Sequence, residues 1–162
     1  MILDMLNGQP FWQYLNFTQK NLLKQSFYLL NWAENHKKKL HDYSFIVMPA
    51  AKAFEGFLKQ FLFDLNLISE KKFNDDYFRI GKTINPELEH IKSLRRECLH
   101  NEITQKCGKD LALLLWQTWK RCRNRLFHYF PKEQQLFTLK EAEDRLNQIV
   151  KAMNSAFKQC KV

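Results

Sequence analysis

The residues best suited to chemistry lie in the C-terminal third of the chain, where Arg123, Asn124 and His128 are closely spaced. An imidazole can move a proton near neutral pH, and a guanidinium can hold a phosphate and stabilise the extra charge of a transition state. On a continuous helix Asn124 and His128, four residues apart, share a face, so the amide can help orient the imidazole. These residue types favour metal-independent cleavage of an RNA phosphodiester.

The same spacing occurs a second time, at Arg95 and His100. Here a second cation, Arg96, takes the place of the amide, and Glu97 can pair with a neighbouring base. We interpret this copy as a charged, exposed helix face. Spacing alone does not distinguish the two copies, and the polar neighbour favours the one at Arg123.

Composition favours one all-α domain with a polyanionic partner. The chain has 162 residues, 45% of them hydrophobic, which is enough for a sizeable core. Only four glycines and four prolines are available for tight turns, which disfavours a β-sandwich or barrel. The net charge of +9 favours nucleic acid or an acidic protein as partner.

Other function classes lack their sequence signals. No glycine-rich phosphate loop is present, which disfavours kinases and nucleotidyl transferases. The four cysteines have no close-paired metal spacing, so we expect reduced thiols near the core, and neither a metal nor a cofactor. No signal peptide or long apolar run is visible. We therefore expect a cytoplasmic protein without membrane contact.

Helical periodicity predicts a four- to five-helix bundle. The predicted helices cover residues 17–40, 43–67, 86–99, 110–130 and a last stretch from 139 onward. Asn85, Asp110 and the Thr138–Glu141 capping box are the expected N-terminal signals, and Pro131 is the expected stop after 130.

The motif Arg123-Asn124-x-x-x-His128 resembles the signature of the HEPN superfamily of small helical ribonucleases. Glu55 and Lys59, an acid and a base four residues apart on an earlier helix, match a second polar element of that family. The stretch 48–59 and the pair Ile80–Gly81 resemble the HEPN domain of RNase LS-type toxins in particular. The resemblance extends over roughly residues 43–160.

The resemblance implies a HEPN-type bundle spanning residues 1–162 as one domain, with 1–42 as an N-terminal helical extension and 43–162 as the core. It implies an endoribonuclease toxin of a toxin–antitoxin or phage-defence system, acting as a homodimer and neutralised by an antitoxin. The catalytic residues would be Arg123, Asn124 and His128. The polar pair Glu55 and Lys59 would support them.

Three further cations close to the motif are candidate RNA-binding residues: Lys120, Arg121 and Arg125. The chain departs from some HEPN toxins two places after the histidine, where Phe130 stands in place of a tyrosine and Tyr129 comes one position earlier. This departure argues against the subgroup whose toxin is silenced by modification of that tyrosine.

Two other hypotheses keep the fold and the charge but not the activity. One is a catalytically inactive HEPN-like module that binds RNA or a protein partner. The other is a helical adaptor whose positive charge matches an acidic protein. Neither predicts any activity that depends on His128.

Overall fold

The fold is all-α throughout the part of the chain that the computed structural model describes, residues 6–36, 39–91, 98–128, 131 and 136–160. These residues contain no strand, which confirms the predicted helical bundle. The α-helices are α1 (Pro10–Tyr14), α2 (Phe17–Asn35), α3 (Ser44–Asp64), α4 (Glu70–Phe73), α5 (Ile80–Thr83), α6 (His100–Cys107), α7 (Lys109–Trp119) and α8 (Leu139–Cys160).

The bundle forms around α3, which packs most extensively against α2 and also against α8. The α3 helix is mostly apolar, and its aromatic residues Phe54, Phe57 and Phe61 are fully buried. Helix α8 also packs against α7, so the core lies between these four long helices. Burial of their apolar faces is the main stabilising contribution to this fold.

Local sequence signals account for several helix ends. Thr138 Oγ1 accepts a hydrogen bond from the Glu141 N–H at 3.2 Å, and Glu141 Oε2 accepts one from the Thr138 N–H at 2.9 Å, so the predicted capping box at the start of α8 is confirmed. Pro49 lies inside α3, and the next amide, Ala50 N–H, donates to the buried Ser26 Oγ of α2 at 2.9 Å. This contact between α2 and α3 satisfies an amide beside the proline.

The predicted bounds of the helices between residues 86 and 130 are wrong at several points. In the described part of the helix predicted over 86–99, Pro86–His90 form a short 3-10 helix that ends in extended backbone at Ile91. Residues 92–97 of that prediction lie outside the described residues, and α6 begins at His100. Asn85 does cap the short helix, accepting from the Glu87 N–H at 2.9 Å. Asp110 is not the cap of α7, because Gly108, at φ 91°, separates α6 from α7 and the helix begins at Lys109.

The expectation of four reduced thiols is also wrong. Cys107 at the end of α6 and Cys160 at the end of α8 form a disulfide, and Cys98 and Cys122 are free and buried. The two disulfide-bonded residues are 53 positions apart. Sequence spacing could not reveal this pair, because packing of α6 against α8 is what brings the two cysteines together.

Candidate active site

A cavity of about 690 Å³ brings together all three predicted catalytic residues, Arg123, Asn124 and His128. Glu55 of α3 lines the same cavity. The opposite wall is the segment 76–82, which leads into α5, and α7 contributes Trp116 and Trp119. Residues from three separate parts of the bundle therefore converge on the motif.

The backbone that carries the motif is not the continuous α-helix predicted for 110–130. The α-helix ends at Trp119, a π-helical turn covers Lys120–Asn124, and a 3-10 turn covers Arg125–Phe127. His128 follows in extended conformation, at φ −116° and ψ 134°. The shared helix face expected for Asn124 and His128 therefore does not apply, and changes of winding of this kind are frequent at functional sites.

The Arg123 side chain is held in the cavity by an acid and by two aromatic rings. Its Nε donates to Glu55 Oε2 at 3.3 Å, and both side chains are about two-thirds buried. The guanidinium carbon lies 5.3 Å from the Trp119 ring centroid and 4.8 Å from that of Phe127, within range of cation–π attraction. Among the described residues Nε–H has this one partner and the terminal nitrogens have none, so they are available for a phosphate.

The predicted supporting pair, Glu55 and Lys59, does not form an ion pair. Glu55 bonds Arg123 instead, and Lys59 Nζ donates to the backbone carbonyl of Asp75 at 3.3 Å. The four-residue spacing favoured a local contact, whereas the structure uses Glu55 in a contact between residues 68 positions apart. Glu55 thus holds the Arg123 side chain, and Lys59 is bonded to the backbone of the loop that follows α4.

The three cations predicted to bind RNA lie beside the cavity and do not line it. Lys120 Nζ forms an ion pair with Glu87 at 3.3 Å and lies 5.8 Å from the Trp116 ring. Arg121 and Arg125 are exposed. Their part in RNA binding stays a prediction.

Sequence reasoning missed the wall formed by Tyr77, Arg79 and Lys82, which all line the cavity. It also missed the reason for Gly81. A Cβ atom on this glycine would lie 2.1 Å from Trp119 Nε1, so only glycine allows the indole to pack here. An isolated glycine within an irregular stretch was the one sequence feature that could have indicated this close approach.

Two other reactive residue types lie outside the cavity. His100 of the second Arg–His spacing is buried, not exposed as expected, and its Nδ1 lies 3.3 Å from the Ile84 carbonyl oxygen. Arg95 of that copy, and Tyr129 and Phe130 after the motif, lie outside the described residues. Cys122 precedes Arg123, but burial raises the pKa of its thiol to about 12, so it is protonated at neutral pH.

Neither a metal cluster nor a membrane span is found in the described residues. No group of three or more histidine, cysteine or acidic side chains is placed to hold a metal ion there. Within the same residues, no helix combines the length and apolar character needed to cross a bilayer.

The family model described as "RNase LS, bacterial toxin DBD domain" matches residues 11–130, well over half of the chain. The chain belongs to this family. The match confirms the predicted relation to RNase LS-type toxins, and it includes Glu55, Arg123, Asn124 and His128. Its description assigns the match to a DBD domain of the RNase LS toxin and names no HEPN fold. Neither the curated proteins nor the solved structures provide a match.

Proposed function

We propose that this RNase LS-family chain is a metal-independent endoribonuclease of the HEPN type, the toxin of a toxin–antitoxin or phage-defence system. The observation that carries the proposal is the convergence of Arg123, Asn124 and His128 on one cavity, with Arg123 held by Glu55. A fixed guanidinium and an exposed imidazole in one cavity are the groups that phosphodiester cleavage requires. The net charge of +9 suits an RNA substrate.

In the proposed reaction, the 2′-hydroxyl of the substrate attacks the adjacent phosphorus while the bond to the 5′-oxygen of the next nucleotide breaks. The 2′-hydroxyl loses its proton to a base, and the leaving 5′-oxygen receives one from an acid. The products are a 2′,3′-cyclic phosphate and a free 5′-hydroxyl. His128 acts as acid or base, Arg123 binds the non-bridging oxygens through its terminal nitrogens, and Asn124 holds the imidazole or the phosphate.

A homodimer would supply the second proton-transfer group. Two copies with their cavities facing each other would bring two imidazoles to one RNA, one as base and one as acid. Lys120, Arg121 and Arg125, beside the cavity, would then contact the RNA backbone. We further propose a cytoplasmic location and an antitoxin protein that neutralises the toxin.

The alternative is a catalytically inactive HEPN-like module that binds RNA or a protein. The family description supports this alternative, because it assigns the match to a DBD domain of the toxin and does not state that this domain is catalytic. Both hypotheses use the same cavity and charge. They differ in whether any product forms and whether its formation needs His128.

The test is cleavage of a fluorescently labelled single-stranded RNA in EDTA by the purified chain, followed by analysis of the product ends. We expect a cyclic phosphate end, and loss of at least about 100-fold in rate for His128→Ala. His90→Ala, which removes an exposed histidine that does not line the cavity, should retain full activity. His100→Gln tests the second Arg–His spacing and should also retain activity if it folds.

Intact RNA with the unmutated chain, at concentrations where binding is measurable, would favour the inactive module. Cleavage that survives His128→Ala would refute the assigned role of the imidazole. A labelled duplex DNA of the same length provides the comparison for nucleic-acid preference. Stronger binding to the DNA than to the RNA would contradict the RNase proposal.

A further inference from the structure

A second groove continues from the candidate active site across the segment 77–82. This groove has a volume of about 400 Å³. Tyr77, Phe78, Arg79 and Lys82 line both it and the cavity of Arg123. A chain-like ligand seated at Arg123 can therefore continue over this segment into the second groove.

The Tyr77 side chain is exposed, while the backbone that carries it is held by hydrogen bonds. Its side chain is 89% exposed, the largest value among the exposed hydrophobic and aromatic residues described. The backbone beneath it is held by Asp75, whose carboxylate accepts from the Tyr77 N–H at 2.8 Å and whose carbonyl accepts from the Phe78 N–H at 3.2 Å. Phe78 packs against the hydrophobic core. An exposed ring held in this way is suited to stack against a planar ligand with little loss of backbone entropy.

Arg79 supplies a cation at the boundary between the two cavities. Its side chain is exposed and forms no ion pair with the described residues. Its backbone is fixed, because its carbonyl accepts from the N–H of Lys82 and of Thr83 at 3.1 and 3.2 Å. An exposed guanidinium on a fixed backbone can bind a phosphate through paired hydrogen bonds.

The second groove is positively charged overall. Its charged lining residues are the cations Lys72, Arg79 and Lys82 and the acid Asp75. Asp76 faces the first cavity, as Glu55 does, so the acids there lie beside the reactive centre. The excess of cations along the second groove favours a ligand with phosphates on both sides of Arg79.

We propose that segment 77–82 binds the nucleotide next to the scissile phosphate, with Arg79 on its phosphate and Tyr77 stacked on its base. The proposal rests on the RNase function proposed above and specifies its substrate as unpaired RNA. A base can stack on a tyrosine only when it is free of its partner strand, so stacking on Tyr77 selects unpaired RNA. Tyr77 and Arg79 are therefore assigned as substrate-binding residues.

The experiment measures binding separately from cleavage. The probe is a fluorescently labelled 2′-O-methyl RNA of about eight nucleotides, which cannot undergo 2′-hydroxyl attack and matches the length that single-strand sites usually cover. Binding is followed by fluorescence anisotropy over a salt series. Tyr77→Ala should weaken binding by roughly 5- to 150-fold, the range for loss of one stacked base, whereas Tyr77→Phe should retain it. Arg79→Gln should weaken binding and reduce the salt slope by about 0.7.

Matched controls remove the same groups elsewhere. Tyr28→Ala removes another exposed tyrosine, and Lys106→Gln removes another exposed cation, neither of which lines the two cavities. Both should bind the probe as the unmutated chain does. If Tyr28→Ala lowers the affinity for the probe as much as Tyr77→Ala does, the stacking assignment is overturned. If Lys106→Gln lowers the affinity as much as Arg79→Gln does, the effect of Arg79 comes from net charge alone and its assignment is overturned.

Cleavage of unmodified RNA tests the two proposals independently. If the unmutated chain cleaves RNA and the Tyr77 and Arg79 variants bind and cleave normally, the substrate-binding proposal fails and the RNase proposal stands. If the unmutated chain does not cleave RNA but its binding of the probe depends on Tyr77 and Arg79, the RNase proposal fails. The assignment of Tyr77 and Arg79 as nucleotide-binding residues then stands. Tighter binding of a duplex probe than of the single strand would overturn the assignment to unpaired RNA.

Discussion

Gly81→Ala is expected to disturb the candidate active site from a distance, through Trp119. The added methyl carbon would lie 2.1 Å from Nε1, 2.7 Å from Cε2 and 3.1 Å from Cδ1 of the indole. Real contacts between such atoms need about 3.5–4 Å, so the ring or the α5 backbone must move by more than an ångström. Trp119 is buried and cannot move into solvent without exposing the core.

Two opposing effects determine the size of the change. Gly81 lies in a helical turn, where alanine ordinarily stabilises by about 0.5–1 kcal/mol. Forcing extra volume into a packed region typically costs about 1–3 kcal/mol, and this overlap is severe. We therefore expect net destabilisation of about 1–2 kcal/mol, which lowers the Tm by roughly 2–8 °C for a chain of this size. Because Trp119 contacts Arg123, RNA cleavage should also fall.

Thermal unfolding by circular dichroism measures this effect, with Gly56→Ala as the matched control. Gly56 is also helical, and a Cβ there would meet only the Gln19 side chain, whose Nε2 would lie at 3.0 Å and whose Cγ and Cδ would lie at ordinary contact distances of 3.6 and 3.7 Å. The control should change the stability by less than about 1 kcal/mol. A double-mutant cycle with Trp119→Phe, which removes the indole nitrogen, should recover part of the loss. A Tm for Gly81→Ala at or above that of the unmutated chain would refute the steric reasoning.

Two further predictions concern stability. The backbone N–H of Thr138 holds the pKa of Glu141 below its usual range, so the ionised carboxylate stabilises the fold above the unfolded pKa, and this contribution is lost as the pH falls through the lower folded value. Glu141→Gln should therefore lower the Tm slightly at neutral pH, and the difference should shrink as the pH falls and vanish below the lowered folded pKa; a constant difference would contradict this cause. Unfolding without reductant should expose two of the four thiols to a colorimetric reagent, because Cys107 and Cys160 are bonded; four would contradict the disulfide. Replacing both cysteines with serine should lower the free energy of unfolding by about 2–4 kcal/mol, measured by denaturant titration.

Local signals in the sequence predicted the long helices well, and tertiary contacts explain where they failed. The periodicity of α2, α3 and α8 and the Thr138 capping box need only nearby residues, so each was visible in the sequence. The helix over 86–99 was predicted because Asn85 is a genuine N-cap and no residue before Ile91 signals a helix end. The disulfide and the Glu55–Arg123 bond join residues 53 and 68 positions apart, so only packing of the helices could reveal them.

The candidate site shows the same division between local and long-range signals. Arg123, Asn124 and His128 could be selected from residue types and spacing, and the cavity they share contains all three. The π-helical turn that carries Arg123 left no signal in the sequence, because its five residues include neither glycine nor proline and three of them are good helix formers. The segment 77–82 was likewise missed, since its place in the cavity of Arg123 depends on the long-range approach of Gly81 to Trp119.

Arg123 is positioned by contacts from three separate parts of the fold. Glu55 fixes Nε from α3, Trp119 contacts the guanidinium from α7, and Phe127 contacts it from the 3-10 turn. Gly81 in turn leaves room for Trp119. A guanidinium held in place before substrate binds needs little reorganisation when charge develops on the phosphate. Substitutions at these supporting positions should therefore lower kcat through misplacement of one charge, while the shape of the pH–rate profile, which reports proton transfer, stays unchanged.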